Sequence, residues 1–355
     1  FFGDLHVVHV ALADTGRGDL DKLGPVAHLF DACTAAVTHG SAQAARHPLR
    51  GGSDSLATMS DDVYRGLDDP EPVNRTGLFA LKSIDDVSIV AAPGQSALPV
   101  QQALIDHCEE MRYRFAVLDS VGAPDDALPD VQAQRQLYET TRAALYYPWL
   151  TIPDPMPDNL ASIAQVPIPP SGHVAGIYAR VDNDRGVHKA PANEVLLGVS
   201  GLRRRVNKGE HDILNPVAID VIRDFRPDGR GIRVWGARVL TSDPAFRYVS
   251  VRRLMLFLEK SIERGLQWVV FEPNAEPLWA RVRRTIGDFL TVVWRNGALE
   301  GTTPAEAFFV KCDRATMTQA DIDLGRLIVL VGVAPVKPAE FVIIRLGQLT
   351  RDAQQ

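Results

Sequence analysis

The spacing of apolar and polar positions changes repeatedly along the chain, and each change marks a new element. Residues 87–92 (VSIVAA), 115–118 (FAVL) and 267–271 (QWVVF) are short, nearly continuous apolar runs that read as buried strands. Between the first two, residues 100–112 set Leu104, Cys108 and Met111 on one face at i, i+4 and i+7, a helix. A short helix over 77–84, another over 132–144 and a strand over 146–152 continue the alternation. A proline-dense connector covers 153–170. Beyond it, Ser171 can cap a helix over 174–181, and 215–225 and 232–240 read as strands. Residues 251–264 carry the stripe Val251, Leu254, Leu258, Ile262, with Gly265 as a stop. Residues 277–295 align Leu278, Val282, Ile286, Phe289 and Val293, with Arg281, Arg284 and Asp288 opposite and Gly297 as the end. Helices alternating with strands in this way predict an α/β fold, a largely parallel or mixed sheet covered by helices. Before residue 75 the pattern is a strand at 2–12, an Ala-rich helix at 26–45, and loops at 50–54 and 68–74.

The last fifty residues break this rhythm. Residues 326–334 (RLIVLVGVA) read as a strand covered on both faces, Pro335 and Pro338 interrupt the chain, and 339–346 (AEFVIIRL) is a second strand. Two strands joined through VKP cannot close a core alone, so they need a sheet to join. Phe341, Val342, Ile343, Ile344, Arg345 and Leu346 have no obvious local mate, which makes them candidates for pairing with another chain.

Composition narrows the classes. Apolar content of 46% in 355 residues suits a globular protein of one large or two moderate domains. A net charge of −6 offers no basic field for nucleic acid, so none is expected as a partner. Cys33, Cys108 and Cys312 lie far apart without a CxxC spacing, which predicts buried thiols in a reducing compartment. No apolar run approaches the roughly 18 residues of a membrane span, and the opening FFGDLHVVHV lacks a basic n-region, so neither membrane insertion nor a signal peptide is expected.

Candidate chemistry is sparse. Asp14-Thr15-Gly16 occurs once, whereas a carboxylate dyad needs two, and it sits in a turn-like string with Arg17-Gly18-Asp19. His6 and His9 fall on opposite faces of a strand and cannot share a metal. Gly198 and Gly201 precede Arg203, Arg204 and Arg205, but no phosphate-loop spacing is present. No catalytic, cofactor-binding or metal site is therefore expected. An α/β enzyme using Asp14 or the 198–205 loop remains the rival from another class. Arg238, Arg252, Arg253, Arg281, Arg283, Arg284 and Arg295 gather around two amphipathic helices, either as solvated faces or as a basic face for an acidic partner.

Seven strings, taken in order, carry a family resemblance. They are GGSD at 51–54, NRTGLFALKSIDDVSIVAAPG at 74–94, PPSGHVAGIYARVDNDRGVHKAPAN at 169–193, RVWGARVLTSD at 233–243, FRYVSVRRL at 246–254, QWVVFEPNAEPLW at 267–279, and the stretch 306–348. Together they resemble the tail sheath proteins of contractile phage tails, extracellular contractile injection systems and R-type tailocins. The resemblance implies a variable outer domain that takes in 1–74, an α/β sheath domain with its connector at 75–170, a conserved inner domain at 171–335 and a C-terminal arm at 336–355. It also implies a non-enzymatic subunit that forms a helical homo-oligomer of hexameric rings around an inner tube protein and contracts to drive that tube through an envelope. Baseplate and tail terminator or cap proteins are the other implied partners, with assembly in the bacterial cytoplasm into a phage tail or a released particle. In that family, terminal arms add strands to sheets of neighbouring subunits, which gives Phe341 to Leu346 their expected role; Arg281 and Arg284 are the expected contact with tube or neighbour. A sheath-fold baseplate component that does not contract is the alternative. Family members open on an arm resembling PGVYVEE, whereas this chain opens on Phe1, Phe2 and Gly3.

Overall fold

The residues described by this computed structural model are 59–122, 126–155 and 165–340. The expected strand at 2–12, the helix at 26–45, Asp14, the 51–54 string and the arm residues Phe341 to Leu346 lie outside them.

After short helical turns at Asp61–Arg65 and Gly77–Ala80, the chain runs β1 (Ile89–Val90), α1 (Leu98–Glu110), β2 (Phe115–Asp119), α2 (Leu128–Gln136) and β3 (Ala143–Tyr147). Next come β4 (Leu150–Pro153), β5 (Gln165–Ile168), α3 (Ser171–Arg185), β6 (Glu194–Val195), β7 (Gly201–Leu202) and α4 (Lys208–Leu214). The third stretch holds β8 (Ile219–Asp224), β9 (Ile232–Val234), α5 (Val249–Gly265), α6 (Glu276–Arg295), β10 (Phe308–Lys311) and β11 (Leu330–Val333).

Six strands form one sheet in the order β1-β2-β3-β8-β9-β6. The first four are parallel, and β8-β9 and β9-β6 are antiparallel. Strands on both sides of the proline-rich connector therefore share one sheet. The parallel part is buried on both faces, which is why its sequence is continuous rather than alternating. On β2, Phe115 and Val117 face a layer that contains Val174, Ile177, Tyr178 and Val181 of α3. Ala116 and Leu118 face the layer of Leu104, Ile105, Cys108 and Val131 from α1 and α2. Each fully buried Leu, Ile, Val or Phe here contributes about 1.5–3 kcal/mol. A small antiparallel sheet, β5-β4-β7, stands beside this core.

A second core follows. Leu254 and Leu258 of α5 join Leu278, Trp279, Val282, Ile286, Leu290 and Val293 of α6, over which the inner face of the two-stranded β10-β11 sheet packs. Because Val249 and Leu256 belong to the first core, α5 is the joint between the two.

Several expectations are corrected. The helix expected at 132–144 is α2, and Ala143 and Ala144 open a central strand, where small side chains fit between two helical layers. Pro148 divides the single strand expected at 146–152 into β3 and β4. Residues 215–225 begin with a 3-10 turn at Asn215–Val217 before β8, and only Ile232–Val234 of 232–240 is a strand. Residues 267–271 are not a buried strand: Gln267–Val269 is a 3-10 turn and Phe271, at φ 69°, is fully exposed. That left-handed backbone cannot continue a ladder. The run 326–334 pairs locally with β10, and Leu330 is 52% exposed, so it is not covered on both faces. The apolar run lacked the neighbouring strand needed to decide its coverage.

Candidate functional site

The described chain ends at Glu340, one residue before the apolar segment expected to pair with another copy. Its carboxylate is tied down by four hydrogen bonds. Arg238 donates from Nε (2.8 Å) and Nη2 (2.6 Å), Asn215 from Nδ2 (2.7 Å) and Tyr248 from its hydroxyl (3.2 Å). Local folding brings these donors together. Arg238 and Tyr248 oppose each other in an antiparallel bridge, flanked by Val239 N to Arg247 O at 2.8 Å and Val249 N to Ala237 O at 3.0 Å. Asn215 enters from the turn that closes α4. A bidentate Arg–carboxylate contact fixes orientation as well as charge. Burial works to raise the Glu340 carboxyl, but the hydrogen bonds from Arg238 and Asn215 outweigh it and hold the group below its usual range.

Behind the guanidinium lies Asp220, a fully buried residue of β8. Its Oδ1 accepts from the Arg238 backbone N–H at 2.8 Å, and its Oδ2 has no partner among the described residues. Gly236 permits this approach, since a Cβ there would meet Asp220 Oδ1 at 2.7 Å. Burial pushes the Asp220 carboxyl well above the usual range, against the pull of the Arg238 N–H and charge.

The expected basic face is divided by the structure. Arg238 belongs to the cluster above. Arg253 is buried, forks onto Asp182 (2.9 and 2.5 Å) and lies over the Tyr178 ring; Arg252 is buried over the Phe246 ring. Arg283 pairs with Glu276 at 2.9 Å. Arg281 is exposed and stacks on the Trp268 ring at 4.3 Å. Arg284 is exposed with no hydrogen bond, ion pair or ring contact among the described residues. Arg295, the last residue of α6, is exposed as well, so Arg281, Arg284 and Arg295 are the exposed arginines of this set.

Above α6, β10 and β11 form a sheet by themselves among the described residues. Phe308, Val310, Val331 and Val333 face inward, while Phe309 (48% exposed) and Leu330 (52% exposed) face out. Phe309 lies across Gly332, where a Cβ would meet its ring. A strand pair with free outer edges is a template for a further strand.

In open α/β sheets, ligands settle outside the carboxyl ends of the strands, and here that end is filled by protein. Asp119 accepts from Gly94 N (3.0 Å), Ser171 N (2.7 Å) and the Ser171 hydroxyl (2.7 Å), so Ser171 is spent on this carboxylate rather than on a helix cap. Gln101 and Gln134 donate to the Asp119 carbonyl, and the Trp149 indole N–H donates to Ser120 O, its ring filling the space beside Gly122. Burial raises the Asp119 carboxyl against these bonds. The 198–205 loop is likewise engaged: Arg203 pairs with Asp126, Arg204 with Glu210 and Arg205 with Asp224. Among the described residues there is no group of three or more His, Cys, Asp or Glu able to hold a metal, and no helix long and apolar enough to cross a membrane.

A buried sheet joined by one helix to a thin layer whose strand edges pair no further among the described residues makes up this scaffold. Comparison with known proteins gives that scaffold a family. The phage tail sheath protein central domain matches residues 74–240 and the phage tail sheath C-terminal domain matches 241–348, so the chain belongs to the tail sheath protein family, a family of structural proteins. It is 36% identical to a chain of an extracellular contractile injection system, the PVC sheath complex in its contracted state, over 78% of this chain and 76% of that one, with a TM-score of 0.69. It is also 36% identical to a chain in the anti-feeding prophage baseplate, over 76% of this chain and 71% of that one, with a TM-score of 0.66. The tail sheath protein of Escherichia phage P2 is 23% identical over 76% of this chain and 66% of its own length. The chain spans half to two thirds of the length of the curated relatives it matches.

Sequence reasoning singled out Arg238 only as one of a basic cluster and missed Asn215, Tyr248, Asp220 and Glu340. The available signal was Glu340 itself, a lone acid immediately before an apolar run, but its partners lie about a hundred residues away.

Proposed function

We propose that this chain is the polymerising subunit of a contractile sheath, stacking as hexameric rings around an inner tube and shortening to drive the tube through a target envelope. The observation that carries the reading is the presence in one chain of a two-stranded sheet whose edges are free among the described residues and an apolar six-residue segment whose root is fastened by Glu340. In this reading Phe341, Val342, Ile343, Ile344, Arg345 and Leu346 add as a strand to the β10-β11 sheet of a neighbouring copy. Six net hydrogen bonds would contribute about 3–9 kcal/mol per junction. A head-to-tail contact whose rotation does not close builds an open helix, and contraction is a switch between two packings of near-rigid subunits.

Residues 171–335 then supply the inner layer, 1–74 part of the outer domain and 336–355 the arm. Arg281 and Arg284 meet the tube or a neighbour through their exposed charge. The subunit performs no catalysis, assembles in the cytoplasm of a bacterial producer, and is bounded by baseplate and terminator proteins. The likeness to a chain in a baseplate structure supports a second reading, a sheath-fold component that does not contract.

Negative-stain microscopy of the purified chain, alone and with its tube protein, separates these readings. Ring stacks or tubes are expected, and Ile343→Pro, which removes a strand N–H, should abolish them while leaving the monomer folded. Uniform small particles at every concentration would refute polymerisation.

A further inference from the structure

The cluster around Arg238 lacks a donor. It contains two buried side-chain acceptors without a partner among the described residues, Asn215 Oδ1 and Asp220 Oδ2. It also contains two carboxyl groups, Glu340 and Asp220, against one guanidinium. Glu340 takes the guanidinium from the solvent side. Asp220 is left inside with one backbone hydrogen bond, too little to hold a buried charge. A proton on Asp220 removes that charge.

We propose that Asp220 carries a proton while Glu340 occupies Arg238, and releases it to solvent when the root of the C-terminal segment leaves, so that Asp220 becomes the counter-ion of Arg238. One guanidinium thus serves two carboxylates in turn. No bond is made or broken other than the O–H of Asp220, and the protein's net charge changes by the one proton lost. Opening therefore releases a proton: alkaline solution promotes it and mildly acidic solution holds the root in place. Such an exchange suits a subunit whose arm must be fixed in one packing and re-aimed in another without leaving Arg238 unpaired.

Other titratable groups face this cluster. Tyr146 of β3 and Tyr178 of α3 share a hydroxyl hydrogen bond of 2.7 Å beside Asp220; burial pushes both hydroxyls well up, so they stay neutral. The Arg253–Asp182 pair beyond Tyr178 is internally balanced. Tyr248, raised first by burial and then by Glu340, also remains neutral. His211, lowered by burial, faces Glu340 and would favour the closed root when charged. Its effect has the same sign as that of Asp220, so a pH profile alone does not separate the two.

The inference rests on the proposed role of residues 341–346 for its meaning, but its test uses the dispersed full chain, so failure to polymerise and failure of the exchange are read separately. The carbonyl stretch of a protonated carboxylic acid is followed by infrared difference spectroscopy at neutral pH. Wild type minus Asp220→Asn should show one such band. The Glu340→Gln chain should itself lose the same band, which therefore appears again in wild type minus Glu340→Gln, although that substitution leaves Asp220 in place. His211→Gln should keep it. A chain ending at Pro338, which removes Glu340 with nothing in its place, repeats the test independently of how Gln packs. A band that persists without Glu340, or one absent from the wild type minus Asp220→Asn spectrum, overturns the exchange.

Discussion

The six-stranded sheet and the β10-β11 layer are made of similar residues and treat them oppositely. In β2 and β3 every residue is buried, and the polar groups at the strand ends are occupied by Ser171, Gln101, Gln134 and Trp149. In β10 and β11 no residue is fully buried, and one face leaves Phe309 and Leu330, with Lys311 beside them, to solvent. Side chains such as Leu145 and Leu330 thus do different work: the first closes a fold, the second remains available for contact. The difference is one of how many neighbours the topology supplies. A rigid core with a sparsely covered edge is what a subunit needs if it is to change partners without unfolding.

The sharpest way to break this comparison is to truncate one leucine in each region. Leu145→Ala empties a site with no solvent exposure and should destabilise the chain by about 2–5 kcal/mol. Leu330→Ala, at a half-exposed position, should cost no more than about 0.5 kcal/mol yet lower the yield of polymer. Thermal denaturation of both variants checks the first pair of numbers, and microscopy checks the second. Equal losses of stability would show that the β10-β11 layer is an integral part of the core.

Acid sensitivity should also reside in the sheet core. His107 of α1 is buried, and its Nε2 accepts from Arg114 Nη1 at 2.5 Å; Arg114 also donates to the Leu81 and Ile84 carbonyls. Burial, followed by the Arg114 charge, lowers His107 to about 4. An unfolded histidine titrates near 6.5, so between about 6.5 and 4 the unfolded chain binds the extra proton. Stability is then full above that window and falls as pH drops through it, by up to about 3 kcal/mol. His107→Gln keeps an acceptor for Arg114 and should flatten the slope of denaturation midpoint against pH in that window. A slope unchanged in the variant would place the acid-sensitive group elsewhere.

How legible the molecule was from sequence follows the same division. Helices with a long, regular stripe were readable: 277–295 became α6 with the expected buried face, because its burial is set by its own spacing. Strand existence in the parallel core was readable from continuous apolar runs, whereas Pro148 split one expected strand in two, and the run at 267–271, which ends on left-handed Phe271, is no strand. Those features act through the backbone and leave the hydrophobic pattern intact. Of the cluster at Arg238 only that arginine was singled out, since Asn215, Asp220, Arg238, Tyr248 and Glu340 converge through a bridge, a turn and a sheet that no local pattern encodes.

The smallest expected effects on the fold come from the two outward arginines, and they test whether a surface charge is there for stability or for contact. Arg281 rests on the Trp268 ring, an exposed cation–π contact that contributes about 0.5–1 kcal/mol, so Arg281→Glu should lower stability by about that amount. Arg284 makes no hydrogen bond, ion pair or ring contact among the described residues, and Arg284→Glu should leave the denaturation midpoint within about 0.5 kcal/mol of wild type. If α6 presents these cations to an acidic partner, both reversals should nevertheless reduce assembly on the tube, and raising the salt concentration should weaken wild-type assembly in the same direction. Counting assembled particles for the two variants at matched protein concentration decides the matter. Yields equal to wild type would make Arg284 a solvated charge and move the tube contact to another face.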